Sequence, residues 1–350
     1  MELVSLFSGC GGMDLGFLAA GYRIVWANDF DSDAQQVYST NIGRIDPRDI
    51  RDVDEDEVPD CDIITAGFPC QPFSNAGNRR GVKDRRGTLY EECLRIVKAK
   101  KPSVVVFENV RGILSIRDHT GTKLMDQICR SLEIEISPGY NVDYRLIKAS
   151  DYGVPQNRYR VFLVAIRKDY ARTFTFPEPI TCDKKTLALG NVLNSIPKDA
   201  KNQIDWPLSP QALYMAERIP EGGSWKSIPY DQLPERFQRI HRQMKKYRSP
   251  NFYRRFSRNE IIGTITASAQ PENCGILHPV ENRRLNIREI ATIQTFPHDF
   301  LFNESKISGM YKVIGNAVPP LLAQIIAEEI LLQVPELVKR DLETCQRWAI

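Results

Sequence analysis

From residue 61 the chain reads Cys61-Asp62-Ile63-Ile64-Thr65-Ala66-Gly67-Phe68-Pro69-Cys70-Gln71-Pro72-Phe73-Ser74. The apolar first half predicts a short buried strand, and Pro69 stiffens the turn after it. Cys70 therefore stands at the carboxyl end of a strand, where open α/β sheets bind ligands and carry out chemistry. A lone cysteine is more often a buried structural residue, so a catalytic role for Cys70 requires support from other motifs in the chain.

The N-terminus predicts a second element of the same sheet edge. A strand over 3–7 leads into the turn Ser8-Gly9-Cys10-Gly11-Gly12, and a helix follows over 13–20. Glycines let a ligand approach the backbone, and a helix N-terminus favours an anionic group such as a carboxylate. The spacing is not the dinucleotide-binding G-x-G-x-x-G, and a glycine turn alone fits a plain structural turn equally well.

Acidic residues end the next two predicted strands. Asp29 and Phe30 follow the strand over 22–27, and Asp49 and Ile50 follow the third. An acid about twenty residues after the glycine turn suits a ribose diol. Asp49 could accept from an adenine amino group, with Ile50 against the ring. These residues predict a pocket for an adenosine that carries an amino-acid tail.

Two later segments bring further polar side chains to this edge. A buried strand over 103–107 ends at Glu108, and the segment 156–160, which contains Arg158 and Arg160, leads into another strand over 161–166. Each segment also has a structural explanation, since Glu108 could cap a helix and the arginines could form a solvated pair. Together they bring a cysteine, a glutamate and an arginine to one sheet edge.

At this point the chain resembles the DNA cytosine-5 methyltransferase family, of the bacterial restriction-modification type. The matching segments occur in the family's order and cover nearly the whole chain. They are Phe7-Ser8-Gly9-Cys10-Gly11-Gly12, Pro69-Cys70-Gln71, Glu108-Asn109-Val110, Gln156-Asn157-Arg158-Tyr159-Arg160, the stretch 284–300, and Gly315-Asn316-Ala317-Val318-Pro319-Pro320.

The resemblance implies a doubly wound, mixed but mostly parallel sheet, S-adenosylmethionine as methyl donor and no metal. Cys70 would attack C6 of cytosine, Glu108 would contact N3 and the amine, and Arg160 would hold O2 while Arg158 supports the carboxylate. The implied cofactor-binding residues are Phe7, Gly9, Cys10, Gly12, Asp29, Phe30, Asp49, Ile50, Gly67, Leu89, Asn316 and Val318.

The net charge is only +3, but basic residues are concentrated. The segment 236–258 has no acid and interleaves cations with Phe237, Phe252, Tyr253 and other aromatic residues, which favours contact with phosphates and bases. A solvated basic face is the alternative. A second basic cluster lies in the loop 74–88, which could close on DNA after the target base is flipped out. The expected DNA-binding residues are Ser74, Arg79, Arg80, Arg236, Arg239, Arg242, Arg248, Arg254, Arg255 and Arg258.

Composition predicts a globular protein with two domains. We expect residues 1–180 and 288–350 to form the catalytic and cofactor-binding domain, and 181–287 a target-recognition domain. The eight cysteines lack metal-ligand spacing and fit a reducing cytoplasm. We see no signal peptide and no run long enough to span a membrane, so we expect a bacterial cytoplasmic monomer that acts on double-stranded DNA, with or without a cognate restriction endonuclease.

Several alternatives remain open from the sequence. A tRNA cytosine methyltransferase can share these motifs, although this chain lacks the Cys-Phe-Thr signature of such enzymes. An inactive DNA-binding relative would not need intact Cys70, Glu108 and Arg160. A small-molecule methyltransferase would leave the basic aromatic segment unexplained. A solitary or phage DNA methyltransferase would have no restriction partner.

Overall fold

A computed structural model describes residues 1–69, 89–118, 120–180, 183–243, 251–271, 275–302 and 306–337. Cys70, Ser74, Arg79, Arg80 and Arg248, and with them the loop over 74–88, lie outside these residues. The chain divides into two compact units. Unit 1 comprises Met1–Lys148, Tyr159–Pro179 and Pro320–Ile350, and unit 2 comprises Ala149–Arg158 and Ile180–Pro319.

Within the described residues the strands are β1 (Glu2–Leu6), β2 (Arg23–Asn28), β3 (Ile63–Ala66), β4 (Val104–Val110), β5 (Tyr140–Lys148), β6 (Gln156–Asn157), β7 (Tyr159–Arg167) and β8 (Ile262–Gly263). The α-helices are α1 (Gly12–Ala19), α2 (Ser32–Asn41), α3 (Leu89–Lys100), α4 (Leu124–Arg130), α5 (Leu189–Asn194), α6 (Pro210–Arg218), α7 (Glu235–Gln243), α8 (Ile287–Ile293), α9 (Ile307–Asn316) and α10 (Pro320–Gln333).

Unit 1 is built on a six-stranded sheet in the order β2-β1-β3-β4-β7-β5. The four strands from β2 to β4 are parallel, whereas β7 runs antiparallel to both β4 and β5. The chain order reverses between β1 and β3, which is the point where such sheets bind ligands beyond their carboxyl ends. The predicted doubly wound, mostly parallel sheet is therefore confirmed.

Apolar residues on both faces of the central strands form the core of unit 1. Val4, Ile64 and Val105 from neighbouring strands are fully buried in one cluster, as expected for strands covered by helices on both sides. Helix α1 packs closely on α10, because Gly16 lacks a side chain. A Cβ atom there would lie 2.5 Å from the Gln324 nitrogen. The close approach anchors the first helix after the glycine turn.

Unit 2 has a core of its own, centred on Trp225 and packed by α6, α7 and the segment around Tyr253. The two-stranded ladder of β6 and β8 also belongs to it. The predicted domain boundaries differ from this division, since 149–158 and 288–319 belong to unit 2. The reason is a set of internal hydrogen bonds, such as the 2.8 Å bond from Gln156 to Gln294.

One helical stretch, Ile307–Gln333, is long and apolar enough to pass a test for membrane spans by length and composition. The sequence predicted no run long enough to span a membrane, and by this test the stretch contradicts that expectation. Its most apolar window is 61% buried, and the core helix of a water-soluble protein passes the same test. The stretch is therefore weak evidence for a membrane segment.

Candidate active site

The glycine turn at the end of β1 has an unusual backbone. Phe7, Gly9 and Gly11 adopt positive φ angles of 53°, 57° and 88°. At Gly11 a Cβ atom would lie 2.0 Å from Cδ1 of Ile42, so this position requires glycine. At Gly9 a Cβ atom would meet nothing within 4 Å. The turn therefore has open space beside Gly9 that a ligand could enter.

Asp29 faces this turn from the end of β2. Its Oδ2 atom accepts a 2.8 Å hydrogen bond from the Gly9 amide, and its Oδ1 atom accepts one of 2.9 Å from the Asp31 amide. The next side chain, Phe30, is 59% exposed. The structure thus brings together a carboxylate, an open backbone turn and an exposed aromatic ring, which suit a ribose, a polar tail and a purine respectively.

The remaining residues predicted for the cofactor in unit 1 are mostly buried. Cys10 is 1% exposed, and burial raises the pKa of its thiol to about 12. Ile50 and Leu89 lie in the core cluster, and Gly12 begins α1. Asp49 caps a short 3-10 helix and pairs with Arg51, whose hydrogen bond lowers the pKa of the Asp49 carboxyl. Any contact of Asp49 with adenine stays a prediction.

Gly67, just after β3, lies close to residues from the neighbouring strands β1 and β4. A Cβ atom at Gly67 would lie 3.6 Å from the Phe7 oxygen and 3.7 Å from Oε2 of Glu108. These residues follow or end β1, β3 and β4 at the same sheet edge. The structure therefore brings the predicted catalytic carboxylate close to the glycine turn.

Glu108 and Arg160 form a buried ion pair at this edge. Nε of Arg160 lies 2.7 Å from Oε1 of Glu108, and the side chains are only 10% and 9% exposed. Antiparallel pairing of β4 with β7 brings them together, since Val110 stands opposite Arg160. Burial lowers the pKa of Arg160, and the charge of Glu108 opposes this. Such a pair can stabilise charge on a base bound beside it.

Asn109 is a site residue to which sequence reasoning gave no role. Its Nδ2 atom donates a 2.9 Å hydrogen bond to the carbonyl of Phe68, and its side chain is buried. The bond connects the end of β4 to the backbone two residues before Cys70. A polar residue beside Glu108 at a strand end is the signal that could have indicated it.

Arg158 is fully buried in unit 2 and has a structural role there. Its guanidinium donates hydrogen bonds of 2.8, 2.9 and 3.0 Å to the carbonyls of Ile265, Gly315 and Ala317. These bonds connect β6 with the segment after β8 and with the end of α9. Arg158 therefore has a structural role in unit 2, and its expected support of Glu108 stays a prediction.

Asn316 and Val318, the other residues predicted for the cofactor, also belong to unit 2. Asn316 ends α9, and Val318 is 6% exposed. Their contact with a cofactor stays a prediction. Across the described residues no group of His, Cys, Asp and Glu could hold a metal ion.

Part of the predicted DNA-binding segment makes contacts within unit 2, and the DNA contacts expected of Arg254 and Arg258 stay predictions. Arg254 pairs with Glu260, and Arg258 contacts Glu221. Arg255 is 2% exposed and donates to the carbonyls of Ala216 and His278. The expectation that Arg255 contacts DNA is therefore wrong, because a buried guanidinium that satisfies carbonyls cannot reach a phosphate.

The aromatic residues of this segment are also internal. Phe237 and Tyr253 are fully buried in the Trp225 core, and Phe252 packs against it. The fully buried rings of Phe237 and Tyr253 cannot stack on bases, since they contact each other and the Trp225 core. Within this segment, α7 contributes Phe237 to the core on its buried face. Its exposed face presents Arg236, Arg239 and Arg242.

The chain matches the model of the family described as C-5 cytosine-specific DNA methylase over residues 1–332. Among curated proteins it is 39% identical over 339 residues to the Type II methyltransferase M.NgoFVII of Neisseria gonorrhoeae, with 94% of this chain and 86% of that protein covered. It is 36% identical over 370 residues to M.FnuDI of Fusobacterium nucleatum, with 98% of both covered.

Solved structures share the fold. A DNA modification methyltransferase encoded within an E. coli prophage superposes with a TM-score of 0.67 at 23% identity, covering 96% of this chain and 99% of that one. The S. pombe Dnmt2 methyltransferase superposes with a TM-score of 0.59 at 18% identity, with the same coverage. At these identities the likeness supports the architecture alone.

Proposed function

Since the chain belongs to the C-5 cytosine-specific DNA methylase family and is a DNA (cytosine-5) methyltransferase, we propose how its own residues carry the reaction. The substrate is a cytosine in a short duplex sequence, and the methyl group comes from S-adenosylmethionine. The observation that carries this assignment is the buried ion pair of Glu108 with Arg160, placed beside Gly67 at the ligand-binding edge of the sheet.

The glycine turn and the end of β2 would hold the methyl donor. Asp29 would accept from the ribose hydroxyls, the exposed ring of Phe30 would pack on adenine, and the open backbone at Gly9 would admit the amino-acid tail. When bound, S-adenosylmethionine supplies an electrophilic methyl group. Open space, an acceptor and an exposed ring in one place fit this molecule, and the cofactor contacts of Asn316 and Val318 stay predictions.

Cytosine C5 is a weak nucleophile, so the chain has to activate the ring. We assign this to Cys70, whose thiolate would form a bond to C6 and turn the 5,6 double bond into an enamine. Electron density then grows at N3 and O2. Glu108 would contact N3 and the exocyclic amine, and Arg160 would contact O2. The C5 proton leaves to water after methylation, and the thiolate is released as the double bond forms again.

Within the described residues the donors of Arg160 are partly engaged. Nε faces Glu108, and Nη1 donates a 2.8 Å bond to the carbonyl of Tyr159. Nη2 has no hydrogen bond to the residues that the structure describes, and it is the donor we assign to O2. Asn109 holds the Phe68 carbonyl and so would orient the approach to Cys70.

The target base lies inside a duplex and has to rotate out of it, which costs a few kcal/mol. The loop over 74–88 is proposed to close on the DNA, with Ser74, Arg79 and Arg80 among its contacts. In unit 2 the exposed arginines of α7 are the proposed phosphate contacts, while Arg248 stays a prediction.

The biological setting is also a proposal. The curated relatives are named Type II methyltransferases, which supports a protective role beside a restriction endonuclease. A DNA substrate supports action in the bacterial cytoplasm, and the monomeric state stays a prediction. A solitary or phage enzyme is the alternative. Searching the neighbouring genes for a nuclease that cuts only unmethylated DNA of the same sequence would distinguish the two.

The test of the activity uses purified chain, tritiated S-adenosylmethionine and three acceptors: plasmid DNA, tRNA and a nucleoside mixture. We expect label in duplex DNA alone, recovered as 5-methylcytosine. Label in tRNA or nucleosides at an equal rate would overturn the DNA assignment. Bisulfite sequencing of the labelled plasmid then gives the sequence and the cytosine.

A further inference from the structure

A chain of buried hydroxyl groups lies directly behind the glycine turn of unit 1. Ser8 Oγ donates a 2.9 Å hydrogen bond to Ser5 Oγ, and Ser5 Oγ donates one of 2.7 Å to Oδ1 of Asp14. The hydroxyl of Tyr38 donates a 2.7 Å bond to the other oxygen, Oδ2. Ser5, Asp14 and Tyr38 are each 0% exposed.

The hydrogen bonds of this chain have a defined direction. An ionised carboxylate only accepts, so Asp14 draws the protons of Ser5 and Tyr38 toward itself. The lone pairs of Ser5 are then left to accept from Ser8. The single hydroxyl proton of Ser8 is shared with the Ser5 carbonyl at 3.1 Å and the Asn28 carbonyl at 3.4 Å, and these acceptors restrict the rotamer of Ser8.

Ser8 lies between two residues whose backbone conformation is unusual. Its neighbours Phe7 and Gly9 have φ angles of 53° and 57°, in the left-handed region. A non-glycine residue at such an angle is strained and persists only where its surroundings enforce it. Gly9 also donates to Asp29, so the conformation of Ser8 decides where that amide points.

We propose that Ser5 and Asp14 are positioning residues, which act through Ser8 to hold the glycine turn in the conformation that binds the methyl donor. The assignment rests on the proposed cofactor site. Asp14, on α1, accepts the hydrogen bond from Ser5, and Ser5, on β1, accepts the one from Ser8. We call this chain of hydrogen bonds the relay. Tyr38, from α2, satisfies the second carboxylate oxygen and packs its ring near Gly11, so it stabilises the anchor without contacting Ser8.

This branched geometry provides a matched set of variants. Ser5→Ala and Ser8→Ala break the branch that reaches the turn, while Tyr38→Phe removes one hydrogen bond to the same carboxylate and keeps the ring. All three lose a single buried hydroxyl. If the network were purely structural, the three variants would change cofactor affinity alike. If it positions the turn, only Ser5→Ala and Ser8→Ala should weaken cofactor binding.

The experiment measures the dissociation constant of S-adenosylmethionine by calorimetry, together with kcat at saturating cofactor, DNA affinity and melting temperature. We expect Ser5→Ala and Ser8→Ala to raise the cofactor dissociation constant about three- to tenfold, as one lost hydrogen bond implies. Their kcat and DNA affinity should stay within twofold. Tyr38→Phe should melt at a lower temperature with cofactor affinity within twofold.

Unchanged cofactor affinity in both serine variants would overturn the relay, and so would an equal loss in Tyr38→Phe. If Ser5→Ala does not fold, Ser8→Ala at the turn decides by the same criterion. Failure of the proposed cofactor site looks different, because wild-type protein would then bind no S-adenosylmethionine at all. That result would overturn both the proposed cofactor site and the positioning role of Ser5 and Asp14.

Discussion

The Nε atom of Arg160 lies 2.7 Å from Oε1 of Glu108, and both side chains are about nine-tenths buried. Two strands that are far apart in sequence bring the pair together, because β7 returns antiparallel to β4. Burying two charges is costly, so a buried pair is weak evidence of stabilisation. Its place beside Gly67 is the reason we propose a role in the reaction for it.

Glu108→Gln should lower kcat roughly hundredfold or more, because the amide cannot carry the charge or exchange the proton required at N3. Single-turnover methylation of a cognate duplex measures it. The matched control is Glu178→Gln, whose glutamate is 86% exposed and 3.8 Å from Arg145. Equal activity in the two variants would show that Glu108 has no part in the chemistry.

Asn109→Asp should slow methyl transfer about tenfold to a hundredfold while cofactor affinity stays the same. The change turns a donor into an acceptor that faces the Phe68 carbonyl, and an unpaired buried group costs about 1–3 kcal/mol. Asn141→Asp is the control, since it loses a similar 2.8 Å bond to the Arg172 carbonyl at the surface. Wild-type turnover in Asn109→Asp would exclude the positioning role.

Arginines of unit 2 should separate into two classes. Arg239→Ala, on the exposed face of α7, should reduce the salt slope of DNA binding by about one unit and leave stability unchanged. Arg255→Ala should cost about 3 kcal/mol of unfolding free energy, since buried carbonyls lose their donor. The measurements are salt-dependent DNA titrations and urea unfolding. A salt slope altered only by Arg255→Ala would contradict this division.

Asp14 should give unfolding a distinct pH dependence. Burial raises the pKa of this carboxyl from 3.8 to about 6, although hydrogen bonds from Tyr38 and Ser5 oppose the rise. The folded state therefore holds a proton that the unfolded state releases, and stability falls as the pH rises from about 4 to about 6. The loss is on the order of 3 kcal/mol.

The asparagine of Asp14→Asn cannot titrate, so the variant should lack this pH-dependent loss of stability. Urea unfolding of both proteins between pH 4 and 8 measures the difference between their free energies of unfolding. That difference should move in favour of Asp14→Asn by on the order of 3 kcal/mol across the interval. The other groups facing Asp14, which are Tyr38, Ser5 and, at longer range, Cys10, are common to both proteins. Parallel pH profiles would refute the raised pKa.

The sequence predicted the sheet and the residues at its edge well, because buried parallel strands appear as short apolar runs that end in polar residues. Glu108 and Asp29 followed from this pattern, whereas the strand predicted before Asp49 does not form, since Asp49 caps a short 3-10 helix. Tertiary partners could not be predicted in the same way. Arg255 and Arg239 occupy one basic segment, yet only the fold decides that the first satisfies buried carbonyls and the second faces solvent.

The domain boundaries show the same limit. Gln156 and Arg158 precede β7 directly in the chain, so the sequence assigned them to the catalytic domain. Their side chains hydrogen-bond to Gln294 and to the carbonyl of Ile265, which belong to unit 2. The unit to which these residues belong is decided by contacts with partners more than a hundred positions away in the sequence. No local sequence pattern indicates such contacts.

The central claim is that Cys70 attacks cytosine C6 in duplex DNA. The most direct measurement is mass spectrometry of the protein after incubation with S-adenosylmethionine and a cognate duplex that carries 5-fluorocytosine at the target position. Fluorine cannot leave as a proton does, so the intermediate should persist. We predict a stable protein–DNA adduct mapped to Cys70, and none with Cys70→Ser, which still binds the duplex. An adduct of equal yield in Cys70→Ser, or methyl transfer within tenfold of wild type by that variant, would contradict the account.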